Sequence, residues 1–244
     1  MVITSRENHL VKDIVRLQKD SGERRRQGLY VCEGMTLLGE ALKSGMQPRM
    51  VFATGEAVGA LPPLECPVHT VDEGVMEKMS DTRAPQGVLF TVEMREKELP
   101  QAPIIAMEAL ADPGNVGTII RTADAFGVGV AAVSGGADVY SPKVVRAAMG
   151  SIFRASVFRC DLAELKERCD AIGAPIYSAA LDEGAISTAG LDLSGACIII
   201  GNEARGVSQE AREISRGSVK IPISGAQSLN AAVAAAILMW EMRR

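Results

Sequence analysis

Asn115 and Arg121 stand six residues apart in A-D-P-G-N-V-G-T-I-I-R-T-A-D-A-F-G (111–127), a stretch otherwise rich in small and apolar residues. Burying a guanidinium without a partner is costly, so an arginine in what reads as buried helix either reaches solvent or has a task. Guanidinium is a permanent cation with five donors, and its natural chemistry is stabilising an oxyanion or a phosphate. Two further clusters place polar residues at the end of an apolar strand. In C-I-I-I-G-N-E-A-R-G-V-S (197–208) the strand runs into Gly201, Asn202 and Glu203. In V-K-I-P-I-S-G-A-Q-S-L-N (219–230) it passes through a Ser/Gly loop to Ser228, Leu229 and Asn230. Ligands bind at the carboxyl ends of strands in parallel sheets. Each cluster also has a plain structural reading: Asn115, Ser228 or Asn230 as helix caps, and Arg121 as an exposed helix residue.

The rest of the chain excludes much other chemistry. Its only histidines, His9 and His69, lie in no ligand-like cluster, which argues against zinc and against histidine acid–base catalysis. The five cysteines are scattered, with no C-x-x-C, and read as reduced core thiols. There is no G-x-x-x-x-G-K-[ST] phosphate loop and no G-x-S-x-G elbow. A G-x-G-x-x-A string at Gly127, Gly129 and Ala132 opens a strand instead of leading from one into a helix, so the Rossmann context is missing.

Alternating elements must hold these residues in place. Up to the Pro-containing stretch M-R-E-K-E-L-P-Q-A-P (94–103), patterning predicts helices over 8–19, 34–43 and 72–79, and strands over 29–32, 50–53, 68–70 and 87–92. Beyond it, strands are expected at 104–108, 128–133, 176–180, 197–201 and 219–223, with helices beginning near Val116, Pro142, Leu162, Gln209 and Leu229. This predicts a small α/β domain over 1–96, then an α/β domain over 97–244 whose mostly parallel sheet is covered on both faces. The last helix, L-N-A-A-V-A-A-A-I-L-M-W-E-M-R-R, lacks a polar face, and a homodimer interface is the expected cover, with a helix simply buried in the core as the alternative.

With 244 residues, 47% apolar and 23% charged, the composition is that of a soluble globular protein, and no run reaches membrane-span length. The charged N-terminus lacks a signal-peptide core, so a cytoplasmic location is expected. Net charge is −4, yet residues 1–26 hold seven Lys/Arg against four Asp/Glu, ending in Arg24, Arg25 and Arg26. Lys143, Arg146, Arg154 and Arg159 lie in a second acid-free stretch. On charge alone both read as solvated helix faces.

Together, N-V-G-T-I-I-R-T-A-D-A-F-G (115–127), I-I-I-G-N-E-A-R-G-V-S (198–208) and I-P-I-S-G-A-Q-S-L-N-A-A-V-A-A-A (221–236) resemble the three motifs of the SpoU/TrmH family of RNA ribose 2′-O-methyltransferases. S-P-K-V-V-R-A-A-M-G-S (141–151) is similar to a fourth segment, with Ala148 and Ser151 as small-for-small departures. I-T-S-R-E-N-H-L-V-K (3–12) and R-R-R-Q-G-L-Y-V-C-E-G (24–34) resemble the ribosomal-protein-like substrate-binding domain that precedes many such enzymes.

The resemblance implies a SPOUT α/β knot, with the C-terminal segment threaded through a loop of the chain. It implies S-adenosylmethionine held by Gly201, Ile221 and Leu229, with Ser228 and Asn230 shaping the pocket. Arg121 would be the catalytic arginine, Asn115 would position it or the ribose, and Glu203 would order loops or meet a partner subunit. Arg24, Arg25, Arg26, Lys143, Arg146 and Arg154 become candidate RNA-backbone contacts. The implied substrate is ribosomal RNA of the 23S type, with transfer RNA the near alternative. A non-catalytic RNA-binding protein keeping the fold is the other reading, and the presence of Asn115, Arg121, Glu203, Ser228 and Asn230 speaks against it.

Overall fold

The computed structural model describes residues 2–95, 101–225 and 228–244. Contacts divide the chain into one unit of Met1–Arg95 with Tyr140–Phe153, and another of Glu96–Val139 with Arg154–Arg244. The boundary expected at 96/97 lies outside the described residues, and the segment Tyr140–Phe153, expected with the second domain, packs with the first unit.

The first unit runs β1 (Val2–Ile3), α1 (His9–Lys19), α2 (Ser21–Gln27), β2 (Leu29–Glu33), α3 (Met35–Lys43), β3 (Met50–Thr54), α4 (Gly55–Val58), β4 (Val68–Val71), α5 (Glu73–Met79) and β5 (Val88–Glu93). Its sheet order is β1-β4-β3-β5-β2, with β5 antiparallel to both neighbours and the other pairs parallel. Asn8 caps α1, whose stripe Val11, Ile14 and Leu17 meets Val75, Met76 and Met79 of α5 over Phe52 and Leu89. Helix α2 was not expected because it has no apolar stripe; the Asp20 carboxylate starts it and Gly28, in the left-handed region, stops it.

The second unit opens with β6 (Ile104–Glu108), α6 (Pro113–Phe126) and β7 (Gly129–Val133). Helix α7 (Pro142–Ala147) then packs on β2 in the first unit, where the Tyr140 ring lies 4.8 Å from that of Tyr30. After α8 (Ser151–Arg154) come β8 (Val157–Cys160), α9 (Leu162–Ala171), β9 (Ile176–Ala179), β10 (Ile186–Ser187), β11 (Cys197–Ile200), α10 (Gln209–Glu213), β12 (Gly217–Lys220) and α11 (Ala231–Arg243). Seven strands in the order β10-β12-β9-β11-β6-β7-β8 pair in parallel throughout. The α/β reading with a parallel sheet therefore holds. The core formed by Ile104, Ala106, Ile176, Cys197 and Ile199 includes Leu165 and Cys169 of α9 and Ala211 of α10. Because strand side chains alternate between faces, Ile105, Ile198 and Ile200 point to the opposite face, where α6 and α11 pack together.

Three elements have a boundary two or more residues from the expected one, each for a local reason. The strand expected at 219–223 is β12, which ends at Lys220, and Pro222 in the stretch beyond it has no N–H for a ladder. Helix α6 begins at Pro113, not near Val116, because Asp112 is its cap; α11 begins at Ala231 behind Asn230. The edge strand β8 was missed because it is four residues long and carries an exposed arginine, Arg159. Gly127 is the left-handed stop of α6, and Gly129 opens β7, consistent with a turn-and-strand role for the G-x-G string. Among the described residues no helix is long and apolar enough to cross a membrane.

Candidate active site

The parallel sheet sends the chain ends of β6, β9, β11 and β12 to one edge, and the three motifs meet there. Gly201 follows β11 directly, and a Cβ on it would lie 2.3 Å from both the Gly206 carbonyl carbon and the Val207 nitrogen. Those are backbone atoms of the same loop, so only glycine lets the chain turn back on itself here. Asn202 completes the turn. Its Oδ1 accepts from the N–H groups of Ala204 and Arg205, and its Nδ2 donates to the Ala109 carbonyl at 2.9 Å. Ala109 itself sits in the left-handed region at φ 52°, immediately after β6.

Glu203 joins this loop to the first motif. Its carboxylate accepts from the backbone N–H of Ala111 (3.1 Å) and of Asp112 (3.2 Å), and from Asn115 Nδ2 (3.0 Å). A negative charge at the start of α6 is also favoured by the helix dipole. Burial pushes the Glu203 carboxyl up, but the Asn115 amide and the surrounding backbone N–H groups outweigh it and hold the group below the ordinary carboxylate value. Asn115 then reaches the third motif, its Oδ1 accepting from Asn230 Nδ2 at 3.0 Å. Asn230 in turn caps α11, accepting from the N–H groups of Ala232 and Val233. One carboxylate and two amides thus tie together segments from three distant parts of the chain.

These positions correct one sequence reading. Asn115 does not cap α6: the Asp112 carboxylate accepts from its N–H at 2.8 Å, leaving the Asn115 side chain to bridge Glu203 and Asn230. Arg121 is exposed, as the solvent-reaching reading of this helix has it, and among the described residues it makes no hydrogen bond or ion pair.

Beside the network lies a cavity of about 490 Å³ lined by Gly201, Glu203, Ile221, Ser228, Leu229 and Asn230, every one of them a sequence candidate. That size suits a nucleoside-sized ligand. Ile200, Ile223 and Leu238 give it apolar walls, while Ser228 and Asn230 bring polar atoms to its edge. Small residues at Gly201 and Gly206 leave backbone groups accessible, which suits recognition of an adenine edge by main-chain groups. The donor set therefore fits S-adenosylmethionine.

Several residues of the site carried no signal strong enough to single them out. Arg212 lines the cavity, donates to the Val207 carbonyl at 3.3 Å and pairs with Asp182, which also accepts from Ser218 at 3.0 Å. It thereby clamps the loops after β9 and β11. Glu108, buried at the end of β6, accepts from the Ser208 N–H at 3.0 Å. An acid closing an apolar strand was the only hint of it.

The candidate RNA contacts divide. Arg24 is buried, its guanidinium donating to the Leu17 and Gln18 carbonyls at the end of α1, and is removed from a surface role. Arg26 pairs with Glu23, Arg146 with Asp81 and Arg154 with Asp124. Arg25 and Lys143 are exposed. Burial pushes the Cys160 thiol up to about 12 and the Cys32 thiol well above its ordinary value, so neither is a nucleophile. Among the described residues no group of three or more His, Cys, Asp or Glu could hold a metal ion.

Comparison with known proteins agrees with this geometry. Residues 102–240 match the SpoU rRNA Methylase family, and residues 8–89 match the MRM3-like substrate binding domain. The chain is 33% identical to the 23S rRNA (guanosine(2553)-2′-O)-methyltransferase RlmP of Bacillus subtilis, over 99% of this chain and 98% of that protein. The AdoMet-bound rRNA methyltransferase of Sinorhizobium meliloti superposes with a TM-score of 0.87 at 30% identity, covering 100% of this chain and 97% of the other. The SpoU methyltransferase AviRb of Streptomyces viridochromogenes, in complex with AdoMet, gives 0.82 at 26% identity over 97% of each chain.

The Gly201→Ala variant is expected to fold but to lose more than about tenfold in S-adenosylmethionine affinity, since a single ångström-scale shift of this loop forfeits at least one well-placed contact; calorimetric titration measures it. Because the Glu203 carboxyl is held low in the folded protein, its stabilisation is present above the usual carboxylate range and lost as pH falls through its own lower value. Glu203→Gln should therefore melt slightly below wild type at neutral pH, and the gap should close as pH falls below the ordinary carboxylate range.

Proposed function

The chain belongs to the SpoU rRNA methylase family, and from that premise we propose that it transfers a methyl group from S-adenosylmethionine to a ribose 2′-hydroxyl of 23S-type ribosomal RNA. The observation that carries this reading is the Glu203–Asn115–Asn230 network. It closes the cavity edge and leaves Arg121 exposed, further along the same helix. The Bacillus subtilis and Sinorhizobium meliloti relatives, which match over the full length of the chain, are rRNA methyltransferases, which favours ribosomal over transfer RNA.

When bound, S-adenosylmethionine supplies an electrophilic methyl carbon. The residues of the chain do the rest. Gly201, Ile221 and Leu229 hold the donor, while Ser228 and Asn230 shape the pocket around it. Arg121 stabilises the charge that develops on the ribose 2′-oxygen as its proton passes to water, and a nearby RNA phosphate helps to orient the guanidinium. Placing oxygen and carbon in line is chiefly a matter of orientation, which a rigid, hydrogen-bonded edge favours. Choice of RNA over DNA follows from the reacting atom itself.

The first unit, residues 1–96 in the sequence reading, serves as the RNA substrate-binding domain, and 97–244 as the catalytic one. Arg25 in the first of these ranges and Lys143 in the second are exposed candidate phosphate contacts. The trefoil-knotted threading of the C-terminal segment and a cytoplasmic location belong to the same proposal. So does a homodimer. Helix α11 leaves Val233 48% and Trp240 56% exposed, seven residues apart on one face, and the Phe126 ring of α6 packs edge-on at 6.0 Å from Trp240. An apolar stripe of this kind is the natural seat of a second copy.

Arg121→Lys keeps a charge but loses the planar fork. It should bind S-adenosylmethionine with near wild-type affinity while methyl transfer to an unmodified 23S rRNA transcript falls roughly 10²–10³-fold. Normal turnover with weakened cofactor binding would overturn the assignment. Trp240→Lys should sediment as a monomer where the wild type sediments as a dimer; an unchanged sedimentation coefficient rules out α11 as the interface.

A further inference from the structure

Helix α6 carries a single cation, Arg121, and a single acid, Asp124, three residues apart. Residues at that spacing are neighbours on a helix surface. The same spacing gives ion pairs elsewhere in this chain, in Arg16–Asp13, Arg26–Glu23, Lys43–Glu40 and Arg244–Glu241. Arg121 and Asp124 do not pair. Instead Arg154, at the end of α8, takes the Asp124 carboxylate: its Nε donates to Oδ2 at 3.0 Å and its Nη2 lies 2.9 Å from the same oxygen. The Asp124 side chain is the more sheltered partner, 19% exposed against 41% for Arg154.

We propose that Arg154 is a positioning residue for methyl transfer: by occupying and neutralising Asp124, it keeps the neighbouring Arg121 guanidinium open to the ribose oxygen. The inference rests on the reading of Arg121 given above and deepens it. Without Arg154, Asp124 has two effects, both adverse. It competes for the Arg121 fork, weakly, because an exposed pair three residues apart contributes little and the cation-first order is the poorer one. It also places an uncompensated negative charge next to the point where an oxyanion must develop, and that effect grows as bound RNA displaces water. Arg154, placed among the RNA contacts by the sequence reading, thus serves the chemistry through a carboxylate. A surface phosphate contact would not require the acid.

The test is single-turnover methyl transfer to an unmodified 23S rRNA transcript by the full-length protein. Arg154→Ala is expected to slow the transfer step roughly tenfold, as expected for one unscreened charge near the reacting atoms. Transcript KM and S-adenosylmethionine affinity should stay unchanged. The double variant Arg154→Ala/Asp124→Asn should recover to within about twofold of wild type, because removing the acid removes the need for its partner. A double variant as slow as Arg154→Ala overturns the proposal, as does a loss that appears in transcript KM and is relieved at low salt. Arg154→Gln in the same comparison covers an alanine variant that does not fold. Arg121→Ala, measured alongside, separates the two levels. If it retains wild-type rate, the reading of Arg121 falls and the proposal with it; if it is slow while the double variant is not rescued, the proposal alone falls.

Discussion

The site depends on one carboxylate collecting donors that have no other partner among the described residues. The backbone N–H groups of Ala111 and of the cap residue Asp112, in the loop just ahead of α6, point at Glu203. The acid is ninety-odd residues away in sequence, so it brings the β11 loop against the β6–α6 junction at the cost of closing a long loop. Once that contact forms, Asn115 is fixed. One amide N–H faces Glu203, and its oxygen faces Asn230, which is itself fixed by capping α11. Each member therefore orients the next, and the charge at the root of the chain strengthens the hydrogen bonds it receives.

The topology explains why these loops meet at all. In an all-parallel sheet every strand delivers its carboxyl end to the same edge, so the loops after β6, β9, β11 and β12 are gathered without further design. What must be added is close approach. Gly201 permits it within the second motif, the left-handed Ala109 permits it after β6, and the Arg212–Asp182 pair braces the β9 loop from below. Backbone strain at Ala109 is accompanied by a compensating bond, since the carbonyl it presents is the one that Asn202 engages.

Much of this was legible in the sequence, and the parts that were not share a cause. The strands of the second unit are runs such as Cys197–Ile200, apolar at every position, and only a sheet covered on both faces accounts for them. The cavity residues were legible through motif resemblance, because their order and spacing carry information that composition does not. What escaped were partnerships between residues far apart in the chain. Nothing local marks Arg24 as buried, since it sits in a basic run on a polar helix and the carbonyls it satisfies belong to α1. Nothing local moves the cap of α6 from Asn115 to Asp112 either, because both residue types cap helices well. For Arg121 the exposed reading is the one the structure shows: its apolar neighbours Ile119, Ile120 and Ala123 are buried, yet the helical period turns position 121 outward.

That outward turn bears on how an acidic protein can act on RNA. Several of the cations in its basic stretches are already engaged by acids, as in Arg26–Glu23, Arg146–Asp81 and Arg154–Asp124, so the raw clusters overstate the positive surface. Phosphate contacts need only local charge, and the association they drive weakens steeply with salt. For a chain of net charge −4, the proposed RNA contact would rest on a few exposed cations and on geometry instead of on a broad positive face. The same economy of charge constrains α6. On the proposed role of Arg121, an unpaired aspartate one turn away on the same helix would oppose it, and in this structure that aspartate is occupied by Arg154 at the end of α8.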